Sequence, residues 1–464
     1  MFRLQSEWFD RNRLLFTALC QKYEHAFLAY EGVYEEAAEH HDDPHEKKAL
    51  RIAAWTELLE SGEAFREETW LYRVWCKMKT AEWAKPGKYP RSIGDLGCPA
   101  SLLGFRLTYF LKKAQSDVPV FINGGLIFFC KSPRQSVLRY VFSELIRPTH
   151  RYFFVYFSDD SCFSFRLPDG SIVRGNADIS SCDSSHGPKV FRALGDLFPE
   201  GPIRSEAHRL INQCRAPVEV RSVRDRKVKV VLKPRRPVLY SGATITTAIN
   251  NVANLSIAIE FSRLDSFLEA DLIAAARRVG YIITVEMAPD WHTLQFLKHS
   301  PVLDVNGRLQ PLLNLGVLLR LSGTCKGDLP GRGDMEPRAR AFQKALLAGA
   351  YPRAHFPLVD RMKETVADAG FYRGMEKTVA AVLAYKTDHD DCDEEFTLTS
   401  SEGYVRYQLE HHEREFLDDT FGRGCFKDFF AHSSMDKILR LDYGLRCNFG
   451  PPVPPPPRAA VLDG

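Results

Sequence analysis

The spacing of apolar residues changes along the chain and separates helical from strand-like regions. In the first hundred residues, Trp8, Leu15, Leu19 and the later run 52–59 follow a period of about 3.6 residues, which predicts amphipathic helices. From 118 to 173 the apolar residues form short aromatic and β-branched runs separated by turn residues, which predicts strands.

Helical patterns then alternate with a further strand. The patterns at 189–197, 244–268 and 271–279 predict helices, the run 281–287 predicts a strand, and the chain beyond 301 reads as mostly helical. This alternation predicts an α+β fold in which helices cover a sheet. The proline-rich residues 449–464 predict a polyproline II tail outside the packed core.

Composition narrows the class of protein. The chain has 464 residues, of which 45% are hydrophobic, so it is a globular protein with room for about three domains. Its net charge of +3 comes from 62 Lys and Arg against 59 Asp and Glu, which excludes a uniformly basic coat for nucleic acid. A local basic channel balanced by acids elsewhere remains compatible with that sum.

Neither a secretory leader nor a membrane span is predicted. The first residues lack an apolar core, and no apolar run approaches the roughly 18 residues that span a bilayer. The 11 cysteines contain no CxxC pair, which is typical of reduced thiols. We therefore expect an intracellular protein.

Two adjacent carboxylates lie at the tip of a predicted hairpin. The apolar runs 152–157 and 162–165 flank the turn 158–161, which contains Asp159 and Asp160. Charges beside such apolar strands are costly unless a cation compensates them, and a divalent metal is the usual choice. A simple polar turn is the alternative, because aspartate favours turns.

A second acidic element follows the next predicted strand. Asp178 and Asp183 are five residues apart between that strand and the helix starting near Gly187. A carboxylate at the end of one strand, beside a hairpin with two more, is what a two-metal phosphoryl-transfer site requires.

The third element is the segment SGATITTAIN at 241–250, with the pattern S-G-x3-T-x3-N. Gly242 would make the loop flexible, while Thr246 and Asn250 would share one face of the helix that follows. An ordinary helix with a serine near its N-terminus is the alternative.

Together these elements resemble the palm of viral RNA-dependent RNA polymerases. The resemblance identifies motif C in FSDDS (157–161), motif A in ADISSCD (177–183), motif B in SGATITTAIN (241–250), motif D in 269–287 and motif E in LQFLKHSP (294–301). Motif C precedes motif A, and this order is similar to the permuted palms of birnaviruses and permutotetraviruses.

The resemblance implies an α+β, right-hand polymerase with circularly permuted palm motifs. Its implied parts are an N-terminal helical region and fingers (1–117), a palm (118–301) with a fingers insertion at about 187–238, a helical thumb (302–448) and the proline-rich tail (449–464).

The implied activity is that of an RNA-directed RNA polymerase, a nucleotidyltransferase that uses two Mg²⁺ or Mn²⁺ ions. Asp159 and Asp178 would be the principal metal ligands, with Asp160 in support.

Asp183 and Asn250 would recognise the ribose 2′-hydroxyl of the incoming nucleotide, a contact that Ser241, Gly242 and Thr246 would organise. Reverse transcriptases carry a bulky aromatic residue near the position of Asp183, so an aspartate here favours RNA synthesis over DNA synthesis.

Basic residues are expected to bind the triphosphate and the RNA. Before motif C, the candidates for triphosphate binding are Lys131, Arg134 and Arg139. A second basic stretch would line the template channel and consists of Arg221, Arg224, Arg226, Lys227, Lys229, Lys233, Arg235 and Arg236. An exposed charged strand is the alternative for each.

His292 is the candidate general acid for pyrophosphate, because motif D has no clear lysine equivalent. A partly buried structural histidine is the alternative.

The implied partners are an RNA template, the nascent RNA, nucleoside triphosphates and other viral replication proteins, in the host-cell cytoplasm or the virion. Two other functions stay open at this point. A noncatalytic RNA-binding or replication-scaffold protein would keep the basic stretch without needing Asp159 close to Asp178. A metal-dependent nuclease would also use paired carboxylates, although the ribose-sensing residues make it the weaker alternative.

Overall fold

The fold was analysed in a computed structural model of the chain. The structure describes residues 1–28, 61, 74–78, 92–95, 107–108, 111–112, 114–116, 118–130, 134–221, 225, 227–322, 329–351, 354–383, 394–422 and 432–443.

Helices and strands together form a mixed α+β architecture. The helices are α1 (Phe2–Arg11), α2 (Arg13–Leu28), α3 (Gln135–Ile146), α4 (Cys182–Ser185), α5 (Pro188–Asp196), α6 (Pro202–Asn212), α7 (Thr246–Phe261), α8 (Glu269–Val279), α9 (Leu315–Ser322), α10 (Met335–Ala350), α11 (Pro357–Thr365), α12 (Met375–Leu383), α13 (His411–Gly422) and α14 (Ser433–Tyr443). The strands are β1 (Val74–Met78), β2 (Ser92–Asp95), β3 (Val120–Ile122), β4 (Gly125–Phe129), β5 (Tyr152–Phe157), β6 (Asp160–Arg166), β7 (Ile172–Ile179), β8 (Val218–Arg221), β9 (Lys229–Leu232), β10 (Ile283–Met287), β11 (His299–Leu303), β12 (Leu309–Leu313), β13 (Ala354–His355) and β14 (Phe396–Thr397).

The central sheet has six strands in the order β10-β7-β6-β5-β4-β3. Neighbouring strands are antiparallel except β4 and β5, which are parallel and are joined through α3. A second sheet has the order β2-β1-β8-β9, while β11 pairs with β12 and β13 with β14.

Both faces of the central strands are buried. On one face, Phe154 and Phe163 belong to the main core, in which almost every residue of α7 is also buried. On the other face, Phe153 and Val155 pack with Phe142 of α3. Burial on two sides explains why β5 is a continuous apolar run instead of an alternating one.

A separate core lies in the C-terminal part, where helices α9 to α14 pack together. They bury side chains such as Leu318, Phe342 and Leu358 between them. Hydrogen bonds from Arg406 link this part to the segment after β10. The buried Arg406 donates to Asp442 at 3.0 Å and also to the carbonyl oxygens of Thr293 and Leu294. Both charges are paired, which makes their burial tolerable.

Several sequence-based expectations need correction. The first hundred residues are not uniformly helical, because β1 and β2 form strands that pair with each other, and β1 also pairs with β8. The turn between β5 and β6 is two residues long instead of four, since Asp160 already pairs with Phe157. The predicted helix 244–268 ends at Phe261.

The described residues beyond 301 are mostly helical, as the pattern predicts, but they also contain strands. Strands β11 and β12 form a hairpin at the start of this region. In this hairpin Pro301 of β11 lies opposite Pro311 of β12. Proline does not suit a helix interior, which accounts for the difference. The run 52–59 and the tail 449–464 lie outside the described residues, and the assignment of fingers, palm and thumb boundaries stays a prediction. No helix in the described residues is long and apolar enough to cross a membrane.

Candidate active site

The two acidic elements meet at one edge of the central sheet. The pairing of Phe157 with Asp160 leaves Ser158 and Asp159 as the hairpin loop, and Asp160 lies directly opposite Asp178 of β7. Residues opposite each other in an antiparallel pair have Cβ atoms about 5 Å apart. Residues that are remote in sequence therefore place three carboxylates close together.

The environment of Asp178 disfavours the charged form of its carboxyl group. Protein surrounds much of the Asp178 carboxyl group, although one side of the residue is open to solvent. The resulting desolvation, together with the negative charges of Asp159 and Asp160, raises the pKa of this group to about 6. Like charges directly opposite each other destabilise a strand pair. A cation between these carboxylates would relieve the repulsion.

The chemistry of this donor set suits Mg²⁺ or Mn²⁺, which prefer hard carboxylate oxygens. Across the described part of the chain, however, no group of three or more His, Cys, Asp or Glu side chains has the arrangement of a ready metal site. The fit therefore rests on the type, proximity and mutual repulsion of Asp159, Asp160 and Asp178.

Removing the charge of Asp178 is expected to stabilise the metal-free protein. Its raised pKa means that the carboxyl group favours folding at pH values below about 4 and progressively loses that contribution as the pH rises through about 6. In EDTA at pH 7.5 we expect Asp178→Asn to raise the free energy of unfolding by on the order of 1 kcal/mol, because the residue is open to solvent and the repulsion is screened.

Urea denaturation at pH 7.5 and pH 5 measures this effect, which should shrink at the lower pH. Asp169→Asn is the matched control, since Asp169 lies in the turn at the opposite end of the β6–β7 hairpin and its carboxylate accepts hydrogen bonds from Ser171. A loss of stability in Asp178→Asn at pH 7.5 would contradict the inferred repulsion.

The segment that precedes α7 is anchored against β2. The carbonyl oxygen of Ser241 accepts a hydrogen bond from the Gly94 amide at 3.0 Å, and Thr246 donates to the carbonyl oxygen of Tyr240 at 3.2 Å. Gly242 has φ 92°, and a Cβ atom there would lie 2.7 Å from the side chain of Ile93. Glycine is thus required by both the backbone angle and the close approach.

Asn250 and Asp183, the predicted ribose-sensing pair, lie in contact. The buried Asn250 amide donates to the Asp183 carboxylate and to the hydroxyl of Ser158, at 3.3 Å in each case. Asp183 sits in α4, directly after the strand that carries Asp178. The structure therefore joins all three sequence elements, although their chemical roles stay predictions.

His186 was missed by the sequence analysis. Burial lowers its pKa to about 4, so the ring is neutral at pH 7. Its Nε2 lies 2.9 Å from Oδ1 of Asn250, which can only accept, so Nε2 carries the proton and Nδ1 accepts from the Tyr281 hydroxyl at 3.2 Å. These contacts direct the Asn250 amide group towards Asp183.

Two further asparagines of α7, Asn251 and Asn254, were also missed. Both are buried, and both bind the backbone of Ser158 in the acidic hairpin. Their presence in a strongly apolar helix was a visible sign of specific hydrogen bonding, because buried amides need partners. Which partner they bind could not be read from sequence.

The first basic segment is only partly near the carboxylates. Strand β4 ends beside the acidic hairpin, where the Cys130 amide donates to the Tyr156 carbonyl at 3.1 Å. Lys131 lies outside the described residues, and Arg134 is the exposed residue just before α3. Arg139 instead donates to Gln310 at 2.8 Å and pairs with Glu394 at 3.8 Å, so it faces the C-terminal part.

The second basic stretch forms an exposed ribbon around β8 and β9. Arg221 and Lys229 both pair with the buried Glu219, and the Arg236 guanidinium lies 3.9 Å above the centre of the Phe2 ring. The exposed members are Arg221, Lys227, Lys229, Lys233, Arg235 and Arg236, whereas Arg224 and Arg226 lie outside the described residues.

Strand β10 leads away from the carboxylates before the chain reaches His292, whose role as a general acid stays a prediction. Thr284 of β10 lies opposite Asp178, but the chain has reached Arg174 by Ala288, about 13 Å further along the sheet. Burial alone would lower the pKa of His292, but its contacts with Glu402 and Asp290 raise it.

Lys298, another residue that the sequence analysis did not single out, is a cation whose field offsets part of the rise in the pKa of Asp178. Its ammonium group donates to the carbonyl oxygen of Asp442 at 3.3 Å and lies 5.3 Å from the centre of the Tyr443 ring.

Comparison with known proteins finds similarity in structure but none in sequence. The chain matches no known protein family and no curated protein sequence. Among solved structures, it is similar to one chain of the birnavirus VP1-VP3 complex, which was solved by X-ray crystallography. The TM-score is 0.44 and the sequence identity is 12%. The match covers 80% of this chain and 56% of that chain, so this chain spans little more than half of the other's length.

Proposed function

We propose that the chain is an RNA-directed RNA polymerase with a permuted palm, which joins nucleoside triphosphates to an RNA 3′ end. The observation that carries the proposal is the pairing of Asp160 with Asp178 at the same sheet edge as Asp159, combined with the Asn250–Asp183 contact beside it. A site for nucleotidyl transfer needs carboxylates for metal ions and a separate group for the ribose.

In this proposal Asp159 and Asp178 would hold two Mg²⁺ or Mn²⁺ ions, with Asp160 in support. Such ions lower the barrier by neutralising charge on the attacking oxygen and the leaving pyrophosphate. Desolvation and the neighbouring carboxylates together raise the pKa of Asp178, and the repulsive part of this effect supports cation binding, since a cation would remove it.

The neighbouring residues would orient the nucleotide. The Asp183 carboxylate can accept a hydrogen bond from a ribose 2′-hydroxyl, and the Asn250 amide holds that carboxylate in place. Ser241, Gly242 and Thr246 would shape the loop through their contacts with β2 and Tyr240. The exposed basic ribbon supplies cations for an RNA backbone.

Template-directed RNA synthesis tests the proposal directly. The purified chain is incubated with a defined RNA template, all four nucleoside triphosphates and Mg²⁺ or Mn²⁺, with and without a primer. We expect products of template length that require the metal and disappear in EDTA. Omitting one nucleotide should stop the product where the template first demands it, because selection follows base pairing.

The other functions would give different outcomes. Shortening of the labelled RNA in place of extension would favour a metal-dependent nuclease. Binding of RNA with no product under either metal would favour the noncatalytic scaffold. Either result would overturn the polymerase proposal.

A further inference from the structure

The loop that carries Asp159 adopts an unusual backbone conformation. Ser158, the first loop residue, has φ 57°, in the left-handed region that residues other than glycine, asparagine and aspartate rarely occupy. For an L-residue this conformation is strained, because Cβ comes close to the following carbonyl oxygen. Since Asp159 follows directly, the backbone of Ser158 sets the position from which the Asp159 side chain starts.

Three asparagines of α7 bind every polar group of Ser158. The Ser158 amide donates to Oδ1 of Asn251 at 2.8 Å, its carbonyl oxygen accepts from Nδ2 of Asn254 at 2.5 Å, and its hydroxyl oxygen accepts from Nδ2 of Asn250 at 3.3 Å. We call these three residues the asparagine clamp.

Two residues of the asparagine clamp are deeply buried. Asn251 and Asn254 are only 0% and 1% exposed, and they lie on a helix whose surroundings are almost entirely apolar. Their amides are therefore costly to leave without a partner. The helix core thus holds the loop in a conformation that its own sequence does not favour.

We propose that Asn251 and Asn254 are positioning residues, which hold Ser158 in the left-handed conformation and thereby direct the Asp159 carboxylate towards Asp178. This inference rests on the proposed function, in which these two carboxylates bind divalent cations. Neither asparagine reaches the cations itself; both act through the backbone of Ser158.

Asn254→Ala tests the inference through metal binding. Mn²⁺ affinity is measured by isothermal titration calorimetry without nucleotide, and the Mg²⁺ concentration for half-maximal primer extension is measured separately. We expect both to weaken by about tenfold, which is the lower end of what loss of a supporting hydrogen bond costs a metal site. Discrimination between ribo- and deoxyribonucleotides should stay unchanged, because Asp183 and Asn250 are intact.

Ser256→Ala is the matched control. Ser256 is equally buried on the same helix, but its hydroxyl donates only within the helix, to the carbonyl oxygen of Val252 at 2.7 Å. It should lower stability slightly and leave Mn²⁺ affinity as it is. Equal Mn²⁺ affinities for Asn254→Ala and the unmodified chain would overturn the inference, even if thermal stability falls.

A rescue experiment separates positioning from a general structural loss. Glycine adopts φ 57° without the penalty of a side chain, so Ser158→Gly should restore part of the Mn²⁺ affinity in the Asn254→Ala background. Simple addition of the two losses would contradict an effect through Ser158. If Asn254→Ala does not fold, Asn254→Gln keeps the amide but displaces it by one methylene, and the same weakening is expected.

Failure of the clamp and failure of the proposed function give different results. If the unmodified chain makes no RNA but Asn254→Ala still weakens Mn²⁺ binding, the inference about the clamp holds and the polymerase proposal is refuted. If the unmodified chain makes RNA and Asn254→Ala needs the same metal concentration to do so, only the inference about the clamp is refuted.

Discussion

Asp178→Ala and Asp159→Ala are each expected to lower the rate of RNA synthesis by at least about 10³-fold. In the proposed site both carboxylates bind the cations, so removing either leaves charge on the reacting phosphate without compensation. Asp178 lies in β7 and Asp159 in the loop before β6, and the pairing of β6 with β7 brings them together. Equal loss in both variants would therefore show that this edge works as one site.

Single-nucleotide primer extension with saturating Mg²⁺ measures this effect. Asp169→Asn serves as the control, because it removes a carboxylate from the same sheet at the opposite end. It should extend the primer at the rate of the unmodified chain. Circular dichroism and thermal unfolding should show that Asp178→Ala is folded, and a variant that extends normally would make the site assignment wrong.

Asp183→Ala is expected to reduce the preference for ribonucleotides over deoxyribonucleotides by about 10- to 100-fold, which corresponds to about 1.4–2.7 kcal/mol. Its carboxylate would accept the 2′-hydroxyl, a group that a deoxyribonucleotide lacks. The loss should therefore fall mainly on kcat/KM for the ribonucleotide. The contact with Asn250 at 3.3 Å explains why the carboxylate is held ready for this role.

The ratio of kcat/KM values for a matched nucleotide pair, measured on one template, checks this expectation. Ser184→Ala is a suitable control, since Ser184 lies on the same short helix and its hydroxyl bonds only the carbonyl oxygen of Ser181. Asp183→Asn should behave between the two, because an amide oxygen still accepts a hydrogen bond but carries no charge. An unchanged ratio in Asp183→Ala would remove the ribose-sensing role.

Local patterns were sufficient for much of the central sheet. The runs around Asp159 and Asp178 predicted strands correctly because apolar and β-branched residues leave few alternatives to a buried sheet. The helix from Thr246 was likewise visible, apart from its end at Phe261. By contrast, the strands β1 and β2 were missed, because their formation depends on pairing with each other and with the distant β8.

The candidate site shows the same division. The sequence by itself determined which acidic residues follow apolar strands and which residues share one face of α7, since both depend on neighbours in the chain. Only the tertiary structure decided that Asp160 faces Asp178, that β10 leads away from Asp178 before the chain reaches His292, and that Asn251 and Asn254 hold Ser158. Strand register and side-chain hydrogen bonds join residues that are far apart in the chain, and they are chosen by the packing of the whole core.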